Sequence, residues 1–313
     1  MINATILNAF SLLGLNDMTT KHRATLFSLA VLCYVVILLV NGSLIVLIIL
    51  DEKLHEPMYI FLGNLCINSL YGTAAFYPKF LSDLLSNTHV ISYTGCLLQV
   101  FVIYSYAATD FSVLTLMAYD RYVAICRPLE YHSVMTKHRA VLLVFFSRLV
   151  PLLCQTVVMT MTSTVELCGS HIEKLYCDNW SILKLSCSSI TTNNIVGFIM
   201  IFFYFGHDLF IVCSYVQLVK SVLKSRECRR KFMQTCVPHL LCLLTISVAL
   251  LFDLMYARYG SSSVSQSVKD FMGIQFLMIP PVLNPIIYGL QLTQVRNSLL
   301  SLCKVSKQVR GLG

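Results

Sequence analysis

Charged side chains are scarce in this chain of 313 residues, so those that interrupt its apolar runs are the first candidates for chemistry. Asp110 stands alone within one such run, and the adjacent acid–base pair Asp120–Arg121 follows it. A carboxylate among apolar residues must bind a cation, carry a proton or accept hydrogen bonds. If the run is helical, Asp110 lies about 16 Å from Arg121 at about 1.5 Å per residue, so the two cannot form an ion pair.

Enzymatic chemistry is not indicated by the residue patterns. The sequence has no cluster of His, Cys, Asp and Glu at metal-ligand spacing, no nucleophile beside a general base and no phosphate loop. His207 and Asp208 are neighbours in a later apolar run, where adjacent side chains point in different directions and cannot pair. We therefore predict a protein that is not an enzyme, with no cofactor and no metal site.

The composition predicts that the solvent of this chain is a lipid bilayer. Hydrophobic residues make up 57% of the chain and charged residues only 12%. Soluble domains carry about 25% charged residues, so too little polar surface remains here to cover a particle in water. The net charge of +8 fits positive residues on the cytoplasmic side of a membrane, and no nucleic-acid-binding motif accompanies it.

Seven apolar segments are each long enough to cross the hydrocarbon core, which needs about 20 residues in a helix. Backbone polar groups in lipid must be satisfied internally, and no alternating pattern typical of a barrel is visible, so each span is predicted to be helical. The predicted fold class is an all-α membrane protein, a seven-transmembrane helix bundle. The predicted spans are residues 24–50, 58–81, 96–120, 140–162, 195–219, 235–257 and 270–290.

The distribution of positive residues predicts which way the bundle faces. With the N-terminus outside, the cytoplasmic side carries about twice as many Lys and Arg residues as the outer side. We therefore predict an extracellular N-terminus at 1–23, a transmembrane domain at 24–290, and a short amphipathic cytoplasmic helix and tail at 291–313. Residues 1–20 lack a positively charged start and a cleavage site, so no signal peptide is predicted.

Several short motifs follow one another in a characteristic order. The stretch Met117–Cys126, Met-Ala-Tyr-Asp-Arg-Tyr-Val-Ala-Ile-Cys, resembles the motif that closes the third helix of rhodopsin-like G-protein-coupled receptors, and its longer form resembles the olfactory receptor branch. The next run, Arg127–Thr136, resembles fish odorant receptors more than mammalian ones, because mammalian receptors usually have a histidine where Glu130 stands. The other matching motifs are Asn41-Gly-Ser-Leu, Pro57-Met-Tyr-Ile-Phe-Leu, Ser214-Tyr215, Lys-Phe-Met-Gln-Thr-Cys-Val-Pro-His-Leu at 231–240 and Pro281-Val-Leu-Asn-Pro-Ile-Ile-Tyr.

This resemblance implies a switch for G-protein coupling at the cytoplasmic end. Arg121 would pair with Asp120 at rest and be released on activation, and Pro285 would weaken the seventh helix by removing one backbone hydrogen bond. The alternatives are an interfacial arginine whose charge reaches the headgroups and a static proline kink. The predicted switch residues are Asp120, Arg121, Tyr122, Tyr215, Asn284, Pro285 and Tyr288.

The resemblance also implies a mostly apolar ligand pocket in the outer half of the bundle. Four of its predicted residues share one face of the third helix by the 3.6-residue period. Ordinary packing is the alternative for each residue, and Arg258 is either a carboxylate anchor or the partner of Glu173 or Asp178 in a surface ion pair. The predicted lining is Ile103, Tyr104, Ala107, Ala108, Phe203, Ser247, Leu251, Arg258, Ile274 and Met278.

A polar core is the third feature that the resemblance implies. It consists of Asn41, Ser69 and Asp110, with Ser69 in the place where many relatives carry an aspartate on the second helix. Two interpretations of this core stay open. Asp110 either contributes to a cation site or carries a proton and is hydrogen-bonded to its neighbours.

Disulfides and modifications fall at the two ends of the predicted bundle. The resemblance implies the bridges Cys96–Cys177 and Cys168–Cys187, while four outer cysteines by themselves allow three pairings. Cys303 is either palmitoylated or a free thiol. Asn3, in an Asn-Ala-Thr sequon at the outer terminus, is the predicted glycosylation site.

The function that the resemblance implies is an odorant receptor, which binds a small-molecule odorant and activates a stimulatory heterotrimeric G protein to raise cyclic AMP. The predicted location is the plasma membrane of olfactory sensory neuron cilia, with receptor-trafficking proteins as further partners. A non-olfactory chemoreceptor of the same superfamily is the alternative. A seven-helix transporter or channel is a remote one, since no inverted repeat is visible.

Overall fold

The computed structural model of the chain describes residues 9–15, 18–222, 226–259, 266–291 and 295. Within them, seven helices have 26 residues or more, and a 3-10 turn at Glu52–Leu54 follows the first. The long helices are α1 (Thr20–Leu50), α2 (Pro57–Leu85), α3 (Tyr93–Cys126), α5 (Lys137–Ser163), α7 (Thr191–Val222), α8 (Arg226–Tyr259) and α9 (Gln266–Gln291). The short helices are α4 (Tyr131–Val134) and α6 (Asn179–Leu183).

The long helices extend beyond the predicted spans because side-chain caps, rather than the edge of the apolar run, decide where several of them begin. The Thr19 hydroxyl accepts a hydrogen bond from the backbone N–H of His22 at the start of α1, and Ser92 caps α3 in the same way. Pro57 occupies the first turn of α2, where its missing N–H costs nothing. These helices therefore begin before the apolar runs that were predicted as spans.

Large apolar side chains cover the outside of the bundle, as expected for a surface that faces lipid. Leu39 is 65% exposed and Phe202 is 72% exposed. By length and composition, four helical stretches among the described residues can cross a membrane, and two shorter apolar stretches accompany them. The four are Thr20–Leu50, Tyr93–Cys126, Lys137–Ser163 and Thr191–Gln217, and the shorter two are Leu240–Met255 and Gly273–Ile287.

The third helix lies at the centre of the core. α3 packs against α2, α5, α7 and α8, and Tyr106 on it is fully buried. Gly72 of α2 permits the close approach, because a Cβ atom at this position would overlap the Tyr106 ring. A side chain at residue 72 would push α2 and α3 apart.

A small three-stranded sheet, which the sequence analysis did not predict, covers one end of the bundle. Its strands are β1 (Ala9–Leu12), β2 (Val90–Ser92) and β3 (His171–Ile172), in the order β2–β1–β3. β1 pairs antiparallel with β2 and parallel with β3. We call this end of the bundle the sheet end, and the opposite end, where α3 finishes, the Arg121 end.

Both disulfides lie at the sheet end. Cys96 near the start of α3 is bonded to Cys177, and Cys168 is bonded to Cys187 within the segment between α5 and α7. The first bridge holds this segment, which we call the 164–190 loop, against the core helix. Cys303 and Asn3 lie outside the described residues.

Candidate functional site

A cavity of about 100 Å³ lies at the sheet end between α3, α5, α7 and α8, beneath the 164–190 loop. A space of this size has room for several water molecules or a small organic ligand. Its walls are mainly apolar and aromatic, as in small-molecule sites generally. They consist of Tyr104, Ala107, Ala108, Phe111, Cys154, Gln155, Val158, Asp178, Asn179, Trp180, Gly197, Met200, Ile201, Tyr204, Phe205, Leu250, Leu254 and Arg258.

Four residues of the predicted pocket lie in this lining. Tyr104, Ala107 and Ala108 come from the predicted face of α3, and Arg258 comes from the sheet end of α8. The α3 residues are placed together because positions three and four apart stack on one side of a helix. The walls from α5 and the 164–190 loop were not predicted.

Two predicted lining residues point in the wrong direction. Phe203 on α7 is 48% exposed and Leu251 on α8 is 39% exposed, and neither faces the cavity. Their neighbours Tyr204 and Leu250 line it instead. One residue along a helix corresponds to a rotation of about 100°, so an error of one position moves a side chain from the core to the lipid.

The remaining four predicted residues also lie outside the lining of this cavity. Ile103 and Ile274 are buried in the main apolar core, and Met278 packs against it. Ser247 on α8 does not reach the cavity either. Ile274 and Met278 do not line the cavity because their helix, α9, packs against α1, α2 and α8, whereas the cavity lies on the other side of α3.

Arg258 is held between aromatic rings at the cavity wall. Its guanidinium carbon lies 4.9 Å from the centre of the Trp180 ring and 4.8 Å from that of Phe198. Stacking of this kind stabilises a cation and leaves its edge available for hydrogen bonds. Gly197 keeps space for the group, because a Cβ atom there would lie 3.0 Å from Nη2. The predicted alternative of a surface ion pair with Asp178 is not what the structure shows, since Asp178 pairs with Lys174.

The polar atoms of the cavity include buried donors without a hydrogen-bond partner. They are Nε and Nη1 of Arg258 and Nε1 of Trp180, while Oδ1 of Asp178 is a buried acceptor without a partner. Burying a donor without a partner costs about 1–3 kcal/mol. A ligand with an acceptor group would recover that cost.

A buried ionic cluster fastens the 164–190 loop to α8. Nζ of Lys174 lies 2.9 Å from Oδ1 of Asp253 and 3.4 Å from Oδ2 of Asp178. The Tyr176 hydroxyl donates to Oδ2 of Asp253 at 3.0 Å, and it also lies 3.1 Å from the Gly273 carbonyl oxygen of α9. We call Lys174, Tyr176, Asp178 and Asp253 the Lys174 cluster.

The charge of Lys174 is fixed by its two carboxylate neighbours. Burial by itself would lower the pKa of Lys174, but the nearby Asp178 and Asp253 outweigh this effect and raise that pKa above its usual value. The ammonium group therefore stays charged at physiological pH. The cluster was not predicted, because its members come from the 164–190 loop and from α8, and no local sequence pattern connects them.

At the Arg121 end, one buried carboxylate receives hydrogen bonds from two sides. Asp120 is fully buried, and its Oδ2 accepts from Nε of Arg121 at 2.9 Å. Its Oδ1 accepts from the Tyr131 hydroxyl of α4, also at 2.9 Å. Burial and the Asp120 charge raise the pKa of Tyr131, so its hydroxyl remains a donor. Tyr122 is half-buried beside this group.

The other predicted switch residues lie on the helices around this end. Tyr215 on α7 is 3% exposed, and Asn284 and Pro285 are buried in α9. The Tyr288 side chain lies outside the described part of the structure. The structure thus brings Asp120 and Arg121 into direct contact and adds Tyr131, which the sequence analysis had not selected.

The predicted polar core joins four helices inside the bundle. Nδ2 of Asn41 donates to the Pro281 carbonyl oxygen at 2.9 Å and so ties α1 to α9. Nδ2 of Asn68 donates to Oδ1 of Asp110 at 2.7 Å and so ties α2 to α3. Ser69 is fully buried beside it. Asn68, rather than Ser69 or Asn41, donates this hydrogen bond to the carboxylate, and the Tyr106 side chain also interacts with it.

A protein-family model described as olfactory receptor matches residues 30–305 of this chain. The chain belongs to the olfactory receptor family. The receptor is 33% identical to human olfactory receptor 10J5 over an alignment of 307 residues, and this alignment covers 97% of each chain. It is 34% identical to mouse olfactory receptor 1E16 over an alignment of 304 residues, and this alignment covers 95% of each chain. The prediction of a receptor rather than an enzyme is confirmed by this membership.

The receptor also shares its fold with squid rhodopsin. The TM-score is 0.73 with 17% sequence identity, over 90% of this receptor and 85% of the squid chain. This likeness confirms the predicted bundle of the rhodopsin type. The family and the apolar helices make the receptor a multi-pass protein of the plasma membrane. The similarity to fish receptors inferred from Glu130 stays a prediction.

Proposed function

We propose that this receptor binds a small-molecule odorant in the sheet-end cavity and then activates a stimulatory heterotrimeric G protein at its Arg121 end, which raises cyclic AMP. The observation that carries this proposal is the cavity itself, whose mainly apolar walls include four residues of α3 and three of α8. These two helices run from the cavity to the Arg121 end. A ligand that prefers one arrangement of them shifts the population of the bundle toward it.

The position of the disulfides supports an extracellular sheet end. Disulfides form on the oxidising side of a membrane, and both bridges lie at this end. Lys and Arg residues are concentrated toward the opposite end, as in cytoplasmic loops. We therefore place the N-terminus outside and the Arg121 end in the cytoplasm. The amphipathic helix predicted at 291–313 lies outside the described residues apart from 291 and 295. Membership of the olfactory receptor family supports a location in olfactory sensory cilia.

Filling the cavity tests where the ligand binds. Ala108 is 8% exposed and lines the cavity, so Ala108→Phe is expected to abolish odorant-induced cyclic AMP in transfected cells, because the added ring occupies the ligand space. Ala24→Phe adds the same ring at an exposed position of α1 and serves as the control. The site is elsewhere if both variants, at equal surface expression, respond as the unmodified receptor does.

Arg258 is proposed as the polar anchor of the ligand. Arg258→Gln removes the charge and is expected to lower the potency of a carboxylate odorant by about 10- to 100-fold, since hydrogen bonds to charged groups contribute about 1.5–3 kcal/mol. The alcohol of the same chain length should be nearly unaffected. Dose–response curves for both compounds provide the measurement.

The control for this anchor is Lys184→Gln. Lys184 is exposed and lies 6.0 Å from the centre of the same Trp180 ring, so it tests the loss of a nearby positive charge outside the cavity. Equal losses in the two variants, or equal losses for acid and alcohol, would refute a specific carboxylate contact at Arg258.

Tyr131 is proposed to stabilise the resting state through Asp120. Tyr131→Phe removes one hydrogen bond to a buried carboxylate and is expected to raise basal cyclic AMP severalfold, because such bonds contribute about 1.5–3 kcal/mol. Tyr119→Phe, on the exposed side of α3, is the matched control. Unchanged basal signalling in both variants, with normal ligand responses, would remove Tyr131 from the switch.

A further inference from the structure

Arg148 is a charged residue in the middle of a membrane-spanning helix. It lies about 16 Å from the first residue of α5 and about 22 Å from the last, at about 1.5 Å per residue. Its side chain is half-buried. A cation at this depth is costly unless it meets a partner in the protein, so its presence indicates a role in the interior.

The guanidinium of Arg148 turns inward to α2. Its Nε donates to the side-chain oxygen of Asn64, and its Nη2 donates to the backbone oxygen of the same residue at 3.2 Å. A lysine or arginine that merely reaches for the headgroups would extend along the helix toward water. Arg148 instead contacts a residue that is 5% exposed.

A second asparagine continues from Arg148 to the polar core. Asn68 follows Asn64 by one turn on the same face of α2, and it donates to Oδ1 of Asp110 at 2.7 Å. Asp110 is fully buried, and its Oδ2 has no hydrogen-bond partner. Arg148 and Asp110 therefore each contact one of two asparagines that lie one turn apart on α2, and Nδ2 of Asn64 has no hydrogen-bond partner.

The charge balance of this core bears on the cation site considered from the sequence. Buried oxygens without a partner on Asp110, Asn41, Ser69 and Asn284 are of the type that holds a monovalent cation. The carboxylate of Asp110 would, however, be compensated by Arg148, which Asn64 holds one turn along α2 from Asn68. A further bound cation would leave the pair with a net positive charge in a low-dielectric interior, which is unfavourable. The charge of the core does not fit a metal ion, although its oxygens do.

We propose that Arg148 is a built-in counter-ion of Asp110, positioned by Asn64 on the face of α2 whose Asn68 contacts Asp110, and that it holds the polar core together without a bound metal cation. The receptor carries on α5 the charge that a dissolved ion would otherwise supply. Its stability and its response therefore do not depend on the sodium concentration.

The first test compares sodium with a cation too large for the core. The purified full-length receptor in lipid nanodiscs is melted in sodium chloride and in choline chloride at equal ionic strength. The unmodified receptor is expected to show the same Tm in both salts, and Arg148→Gln is expected to gain a sodium-dependent rise in Tm. The proposal is overturned if sodium raises the Tm of the unmodified receptor as much as that of the variant.

The second test does not require a sodium effect. Arg148→Gln and Asp110→Asn each leave one buried charge alone, so each is expected to lower the Tm, whereas the double variant is expected to melt above at least one of them. Additive losses in the double variant would overturn the proposal. If Arg148→Gln cannot be purified, Arg148→Lys in the same cycle keeps the charge and is expected to retain its coupling to Asp110.

Discussion

Replacing Lys174 with methionine is expected to destabilise the receptor by about 3–5 kcal/mol, because it leaves the buried carboxylates Asp178 and Asp253 without their positive partner. Asp178 is 1% exposed and Asp253 is 5% exposed, so water cannot take over that role. The measurement is the Tm of the purified receptor together with its surface expression. The 164–190 loop should also lose its attachment to α8.

Lys184→Met is the matched control for this loss. It removes the same charge from the same loop, but at an exposed position. The variant should melt close to the unmodified receptor. Adding Asp253→Asn to Lys174→Met should recover part of the lost Tm, since one unpaired carboxylate is then neutral. Equal Tm values for the two lysine variants would show that the cluster does not stabilise the loop.

Breaking the Cys96–Cys177 bridge is the second change with a large expected effect. Its cysteines are 81 residues apart, and the entropy of closing a loop of that length corresponds to about 4.5 kcal/mol of stabilisation. Both cysteines are fully buried, so Cys96→Ser would also place a hydroxyl in an apolar cluster. We expect Cys96→Ser to lose nearly all surface expression.

The second bridge is the natural comparison, because it joins cysteines only 19 residues apart. The loop-closure entropy gives about 3 kcal/mol of stabilisation for this shorter loop. Cys168 and Cys187 are also exposed, so a serine there is not buried. Cys168→Ser is therefore expected to retain more surface receptor and a higher Tm than Cys96→Ser. The reverse order would mean that loop closure does not control the stability of this end.

Much of the fold could be predicted because a bilayer restricts the choices available to a chain. Each apolar run of sufficient length must become a helix, so the seven long helices fall on the seven predicted spans. The positions at which the helices begin and end were predicted less well. α8 begins at Arg226 rather than near 235, since polar residues that follow or precede an apolar run can stay helical in water. β1 was missed because four residues carry too weak a pattern.

The candidate site was predictable only where one helix by itself determines it. The 3.6-residue period groups Tyr104 with Ala107 and Ala108 wherever α3 lies. The rotation of α7 and α8 about their own axes depends on how they pack, and the sequence does not reveal it, so Phe203 and Leu251 were chosen in place of their neighbours. The Lys174–Asp253 contact joins residues 79 positions apart, and no local pattern connects them.

The parallel pairing of β1 with β3 has a consequence for how the receptor is made. β1 is the central strand of its sheet, yet its parallel partner at His171–Ile172 is synthesised about 160 residues later. Translation proceeds at about 5–20 residues per second, so the β1 edge that pairs with β3 stays unpaired for roughly 8–32 s during synthesis. During that time an unpaired strand can join a neighbouring chain. We therefore expect the yield of this receptor in a cell to depend on the speed of translation across the first four membrane spans.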